Sequence, residues 1–431
     1  MHKYIVNMKV LIINTSERTG GAAVAAGRLM DALNNNGVKA KMLVRDKESD
    51  RITVVGVNRP WFKKWHFLWE RLCIFARLHF KRENLFAIDT GGSGIDITKT
   101  PEFREADVVH LHWINQGMLS LKGIRKILKS GKPVVWTMHD LWPATALCHY
   151  NRGCHHYKTH CQQCLLLPNG GHAVDLSTRV WRRKSAILRE GSIFFVTCSR
   201  WLEGEAKSSG LLQGHHITSI PNAIDTRIYH RTDQVEARRR TEIPQKKNVI
   251  LFVSQRVTDE RKGIAFFIEA LQQLVRQHPQ LAEDSCVAIL GSHTEEVVSQ
   301  LPLSVHVLGY VSDEKSIVDI YNSADVFVTP SLEDNLPNTI MEALACGTPC
   351  VGFRVGGIPE MIDHKRNGYV AAYRDAADLA NGIHWTLCEA NRDSLSREAV
   401  RKVMLSYSQS SVSVRYSEIY QQAIAQKHLK L

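Results

Sequence analysis

Three features of the sequence predict an α/β protein with two Rossmann-like domains, each built on a parallel sheet. Short apolar, β-branched runs alternate along the chain with segments of helical period, which is the pattern of repeated βαβ units. Polar, turn-forming loops follow several of these runs directly, and in open parallel sheets ligands bind at such carboxyl ends of strands. At 431 residues, with 44% hydrophobic and 23% charged side chains, the chain is long enough to bury two separate cores.

Met8 to Asn14 is the first strand. Thr15 to Ala22 is a loop carrying Gly20 and Gly21, Ala23 to about Asn34 is a helix, and Val38 to Val44 is the second strand. The loop lacks GxGxxG, so it is no dinucleotide fingerprint, and its paired glycines suit either a tight turn or a ligand edge. Residues Trp61 to Asn84 place Trp61, Trp65, Leu68, Trp69, Leu72, Phe75 and Leu78 near helical period, among Lys63, Lys64, Arg71, Arg77, Lys81 and Arg82. Such a stripe suits a helix lying on an anionic membrane surface, and equally a helix packed on the core. Asp89 to Pro101 is a glycine-rich loop, and Asp107 to His112 and Pro133 to Met138 are strands. The second of these ends at His139-Asp140, where a histidine can bond a sugar hydroxyl, although a lone histidine there is more often structural.

CHYNRGCHHYKTHCQQC sets Cys148, Cys154, Cys161 and Cys164 within seventeen residues. Four thiolates suffice for a closed, structural zinc site. The first spacing is wider than usual, so free thiols and a redox disulfide stay open beside it. Leu176 to Arg189 is a basic helix and Phe194 to Cys198 a further strand.

The second domain opens with the strand Asn248 to Val253, followed by a loop holding Arg256, Arg261 and Lys262 before Gly263. Arg and Lys at a strand's end suit a phosphate-rich ligand, although a plain basic turn is the common alternative. Strands at Val287 to Leu290 and Val305 to Leu308 follow. Then comes VFVTPSLEDNLPNTIMEALACGTPCV: the strand Val326 to Thr329, a polar loop, a helix from Thr339 to Cys346, and a stop at Gly347-Thr348-Pro349. Asp334 and Glu342 bracket a ligand cradle there, with a helix N-terminus favouring anionic or oxygen-rich ligands. An acidic turn on a solvated helix face is the plainer alternative. Cys350 to Phe353 is the next strand, and Ser406 to Gln426 is helical.

The stretch from Asp334 through seven residues to Glu342, ahead of Gly-Thr-Pro, resembles the donor-binding signature of the retaining glycosyltransferases of family 4, which have the GT-B fold. That family usually carries Glu at the first position; Glu333 stands just before, and the spacing to Glu342 selects Asp334. The resemblance spans Met8 to about Ala425 and implies an N-terminal acceptor-side domain, 1–225, and a donor-binding domain, 226–405. It also implies a ligand cleft between them and a terminal helix, 406–431, crossing back. It implies His139, Arg256, Lys262 and Glu342 as catalytic residues. It implies donor contacts at Gly20, Gly21, Arg261, Tyr310, Val311, Asp334, Asn335, Leu336, Pro337, Asn338 and Thr339, with Tyr310 and Val311 beside the base. The expected reaction moves a sugar, with retention, from a UDP- or GDP-linked donor to a glycan or lipid-linked acceptor in surface-polysaccharide assembly. No organic cofactor is expected. No DxD motif occurs, so metal-independent chemistry is expected, with any zinc structural.

No run of eighteen apolar residues occurs, and the first residues lack a signal peptide's apolar core. A cytoplasmic protein follows as the expectation, in peripheral contact with the inner face of the plasma membrane if residues 61–84 bind lipid. The net charge of +12 suits phosphate-rich partners in general. A zinc-containing protein that binds nucleic acid or an anionic surface, and a GT-B phosphorylase or epimerase, are the alternatives. Neither explains Arg256, Lys262, Asp334 and Glu342 together, and no nucleic-acid partner is expected.

Overall fold

A computed structural model describes residues 8–57 and 60–428, the side chains of 60–63 and 428 excepted. The segment before Met8, the last three residues, and the side chains of Trp61 and Lys63 lie outside the described residues. The chain divides into two units, residues 1–223 with 412–431, and residues 224–411.

The first unit carries seven parallel strands: β1 (Lys9–Ser16), β2 (Lys39–Asp46), β3 (Val54–Gly56), β4 (Val108–Leu111), β5 (Val134–Met138), β6 (Ile193–Thr197) and β7 (His216–Ser219). Their order is β3-β2-β1-β4-β5-β6-β7, so the chain reverses direction across the sheet at β1, between β2 and β4. Alternate side chains of β1 feed two cores, Leu11 and Ile13 on one face and Val10 and Ile12 on the other. This is why the strand reads as a continuous apolar run and not as an alternation. The edge strands β3 and β7 were not evident in the sequence; each is three or four residues long, too short to show a period.

The second unit carries β8 (Asn248–Arg256), β9 (Ser285–Ser292), β10 (Ser304–Gly309), β11 (Val326–Thr329), β12 (Cys350–Phe353) and β13 (Gly368–Ala371). They are parallel, in the order β10-β9-β8-β11-β12-β13. Ile250, Phe252, Val326, Val328, Val351 and Phe353 form one face of its core. The reversal falls between β8 and β11. β8 runs three residues beyond the expected end at Val253, which makes Arg256 a strand-terminal residue paired in register with Ser292.

Two helical expectations are corrected. The helix expected over 61–84 spans Pro60–Arg77. It stops because His79 and Phe80 take left-handed backbone angles and the Phe80 amide closes back on the Phe75 carbonyl at 2.9 Å, a Schellman-type ending. The helix expected over 406–426 starts three residues later and spans Gln409–His428, set off from a preceding helix, Arg392–Ser406, by a break at 407–408. The Tyr407 carbonyl accepts from the Ile224 amide at 2.8 Å and Ser408 bridges to Ile224, so backbone bonding at 407–408 is diverted from the helix. Beyond the break, Val412, Tyr416, Ile419 and Tyr420 pack in the first unit's core. Among the described residues no helix is long and apolar enough to cross a membrane.

Candidate active site

In the second unit the site forms where the loops after β8, β11 and β12 meet. Asp259 caps the short turn Glu260–Lys262 by accepting from the Arg261 amide. The turn ends on Gly263, whose φ is +72° and whose missing Cβ would stand 1.9 Å from the Pro330 carbonyl oxygen. Only glycine allows both that angle and that approach. The Leu332 amide then donates to the Arg261 carbonyl at 2.7 Å, locking the two loops together. From the other side Gly356, at φ +56°, would place a Cβ 1.7 Å from the Asp334 carbonyl oxygen, and the Gly357 amide donates to the Asn335 carbonyl at 2.8 Å. The 330–335 loop is therefore held by glycine loops at two places, 330–332 by the Gly263 turn and 334–335 by Gly356-Gly357. Gly356→Ala is expected to cost at least about 1 kcal/mol through its backbone angle alone. It should also push the 334–335 loop away, seen as a lower melting temperature together with weaker nucleotide binding; an unchanged melt would show that the clamp yields freely.

Lys262 Nζ lies 2.6 Å from Asp334 Oδ2. Lys262 is the expected cation, with Arg261 able to substitute for it; here Arg261 pairs with Asp259 at 2.7 Å, and Lys262 is the cation brought to Asp334. Arg256 is exposed at the end of β8 and donates to Thr258 Oγ1 at 2.9 Å. Asn335, Leu336 and Pro337 are buried, and Asn338 and Thr339 open the helix Asn338–Ala345, whose N-terminus has no side-chain cap. A helix N-terminus of this kind favours an anion. Glu342 is buried on that helix, and its Oε2 accepts from the Tyr321 hydroxyl at 3.0 Å. Burial and the Glu342 charge push the Tyr321 phenol well above its ordinary pKa, so Tyr321 stays a hydrogen-bond donor to the carboxylate. Sequence reasoning missed Tyr321; its only signal was an aromatic on the apolar face of the helix Glu314–Ser323. Tyr310 is 70% exposed just beyond the edge strand β10, followed by Val311. A cavity of about 300 Å³ lined by Thr232, Asn322, Gly347 and Arg392 lies at the amino ends of β11 and β12, the opposite end of these strands from the Lys262–Asp334 pair.

In the first unit Gly20, at φ +90°, begins the helix Gly21–Asn35 without a side-chain cap, and both glycines are exposed. His139 follows β5 and is half-buried. His139 Nε2 meets His112 Nδ1 at 2.9 Å, and Nδ1 meets Cys198 Sγ at 3.5 Å. Both ring nitrogens are committed within the domain, a constraint that the sequence did not reveal. Burial lowers the His139 pKa to about 4 and holds His112 well below its ordinary value, so the pair is neutral near pH 7. Asp140 is structural: it accepts from Trp113 Nε1 at 2.8 Å, from His149 Nδ1 at 2.7 Å and from the Trp142 amide at 2.9 Å.

The four clustered cysteines lie near one another. Burial, aided by the mutual repulsion of their thiolates, pushes Cys161 and Cys164 up to about 12. All ten cysteines are free thiols. Among the described residues, the group of three side-chain donors within 4.8 Å of one another is the exposed set His293, Glu295 and Glu296; no three of the cysteines reach that spacing.

Two doubly wound parallel sheets with a cationic and acidic cradle at a strand-order reversal define a GT-B glycosyltransferase. Residues 19–228 match the profile of Glycosyltransferase Family 4, and residues 247–389 that of Glycosyl transferases group 1. The chain belongs to this family. Among curated relatives, the putative colanic acid biosynthesis glycosyl transferase WcaC of Escherichia coli K12 is 24% identical over 425 residues, covering 96% of this chain and all of WcaC. N-acetyl-alpha-D-glucosaminyl L-malate synthase of Bacillus anthracis is 23% identical, covering 47% of this chain and 53% of that enzyme. With several curated relatives the match thus spans about half their length. Sucrose-phosphate synthase from Thermosynechococcus elongatus has a TM-score of 0.65 at 17% identity, covering 97% of this chain and 100% of that one. Anabaena HepE, solved with UDP-glucose, has a TM-score of 0.60 at 14% identity, covering 96% and 100%. WaaG, a glycosyltransferase involved in lipopolysaccharide biosynthesis, has a TM-score of 0.60 at 14% identity, covering 95% and 99%.

Proposed function

We propose that the protein transfers a sugar from a nucleoside-diphosphate sugar to a glycan or lipid-linked glycan acceptor in surface-polysaccharide assembly, retaining the anomeric configuration without a catalytic metal. The observation that carries this reading is the Lys262–Asp334 pair, 2.6 Å apart, beside an uncapped helix N-terminus at the β8/β11 reversal. Arg256, Lys262 and the first amides of the Asn338–Ala345 helix neutralise the diphosphate as it departs. Glu342, oriented by Tyr321, accepts from the ribose hydroxyls. Asp334 and the backbone of 335–339 bind the sugar, Tyr310 and Val311 flank the base, and the Gly20-Gly21 loop approaches the diphosphate. His139 takes part by exchanging one of its present hydrogen bonds for one to the sugar. Transfer with retention is written as a front-face displacement in which a diphosphate oxygen takes the acceptor's proton. HepE, with UDP-glucose bound, supports a uridine donor, and the full-length likeness to WcaC supports a polysaccharide acceptor.

The test is a thermal-shift screen of UDP-, GDP- and dTDP-sugars on the parent and on Glu342→Ala. A donor present at one hundred times its Kd stabilises the folded chain by about 2.7 kcal/mol, so a clear upward shift with one donor is expected, lost in the variant. A folded parent that no nucleotide sugar stabilises would overturn the donor-site assignment. The anomeric coupling constant of the product then distinguishes retention from inversion.

A further inference from the structure

The helix Pro60–Arg77 shows solvent an apolar face. Trp65, Leu68, Trp69 and Leu72 stand at i, i+3, i+4 and i+7, on one side of a helix, and are 58%, 58%, 47% and 55% exposed. Trp65 and Trp69 stack, with ring centroids 5.8 Å apart. The opposite face is the one that packs: Glu70, Arg71 and Ile74 are buried, and Arg71 forms an ion pair with the buried Asp89 at 3.0 Å and donates to the Leu85 carbonyl at 2.6 Å. The helix is thus held in place by its inner side, and the core does not claim its aromatic stripe. Phe80, whose ring meets that of Phe75 with centroids 5.5 Å apart, is also exposed. A contiguous apolar patch of this kind marks an interaction surface.

Charge identifies the occupant. Over residues 64–86 the exposed charged side chains are Lys64, Arg77, Lys81 and Arg82 against Glu83 alone, within a chain of net charge +12. Exposed tryptophans with a basic rim match the interface of an anionic bilayer, where indole rings sit at headgroup level and Lys and Arg meet lipid phosphates. A second copy of this chain would bring the same cations face to face. We propose that this face docks the protein on an anionic membrane surface, independently of whether the chain transfers sugar. The helix also sits at the carboxyl edge of its sheet. Arg45, near the end of β2, lies over the Phe67 ring at 5.3 Å, and Gly117, in the loop after β4, would place a Cβ 2.7 Å from the Phe67 amide. Docking would therefore hold a bilayer alongside the edge of the unit to which the resemblance assigns the acceptor.

The test is flotation of the full-length protein with phosphatidylcholine vesicles, with and without about 30% phosphatidylglycerol, at low and high salt. Two surface variants accompany it: Trp65→Ser with Trp69→Ser, and Lys64→Glu with Lys81→Glu and Arg82→Glu. Expected are binding to the phosphatidylglycerol vesicles, a loss of about tenfold or more in high salt and in either variant, and a blue-shifted tryptophan emission on binding. The variants should keep the parent's circular dichroism and melting temperature, because the changed side chains are exposed. Equal partition of parent and both variants would overturn the proposal, as would no binding to anionic vesicles. A parent dimer that the tryptophan variant converts to monomer would also overturn it, by giving the face to a second copy.

Discussion

Lys262→Ala is expected to lower the rate of sugar transfer about 100- to 1,000-fold, the usual cost of removing one fixed group that stabilises charge in the transition state. The ammonium is held by Asp334 at 2.6 Å on a turn whose path Gly263 alone permits, so no neighbouring cation replaces it without moving backbone. Arg261→Ala is the control. Its guanidinium is turned to Asp259, and its loss should cost less than about tenfold, since exposed ion pairs contribute little. Rates of nucleotide release, measured with the donor that the thermal screen identifies, separate the two. If Arg261→Ala abolished transfer and Lys262→Ala left it within tenfold of the parent, the diphosphate contact would pass to Arg261.

His149→Ala is expected to destabilise the first unit by roughly 3–5 kcal/mol at pH 7, the range found when one partner of a buried ionic group is removed. His149 is buried between Asp140, 2.7 Å away, and Asp89, 3.6 Å away. Although burial opposes its charge, the two carboxylates raise its pKa to about 9. Because the folded value lies above the ordinary 6.5, the protonated imidazole's contribution is fully present below about pH 6.5 and is lost as the pH rises through about 9. The shift corresponds to roughly 3 kcal/mol. Lys184 moves the other way: burial lowers it to about 7, so its contribution grows as the pH rises from 7 toward 10.5. Urea denaturation should therefore be compared as the difference between parent and variant, which cancels Lys184. That difference is expected to shrink between pH 6.5 and 9.5, and a difference independent of pH would mean that His149 is neutral in the fold.

The strands that line the two sites were legible because buried parallel strands must be apolar on both faces; Val326–Thr329 and Cys350–Phe353 coincide with their apolar runs. Helix ends were less legible where backbone bonding is claimed from far away in sequence, as at Tyr407 by Ile224. In the cradle the resemblance to the family marked Asp334 and Glu342 through their spacing, and Arg256 and Lys262 through their places after the strand. Spacing carries no rotamer information, so the pairing of Lys262 with Asp334 and the turning of Arg261 to Asp259 are visible only in the structure. Tyr321, which orients Glu342, lies twenty-one residues away in sequence, beyond the reach of any local motif.

By itself, then, the sequence determined the fold class, the alternation of elements and the chemical character of the cradle, because apolar period, turn residues and charge are local properties. Only the tertiary structure decided which polar side chains meet: Lys262 with Asp334, His139 between His112 and Cys198, and His149 between two aspartates. It alone also decided that the tryptophan face of residues 65–72 points to solvent, because a helix with an apolar stripe and basic flanks carries no mark of which side its neighbours will cover.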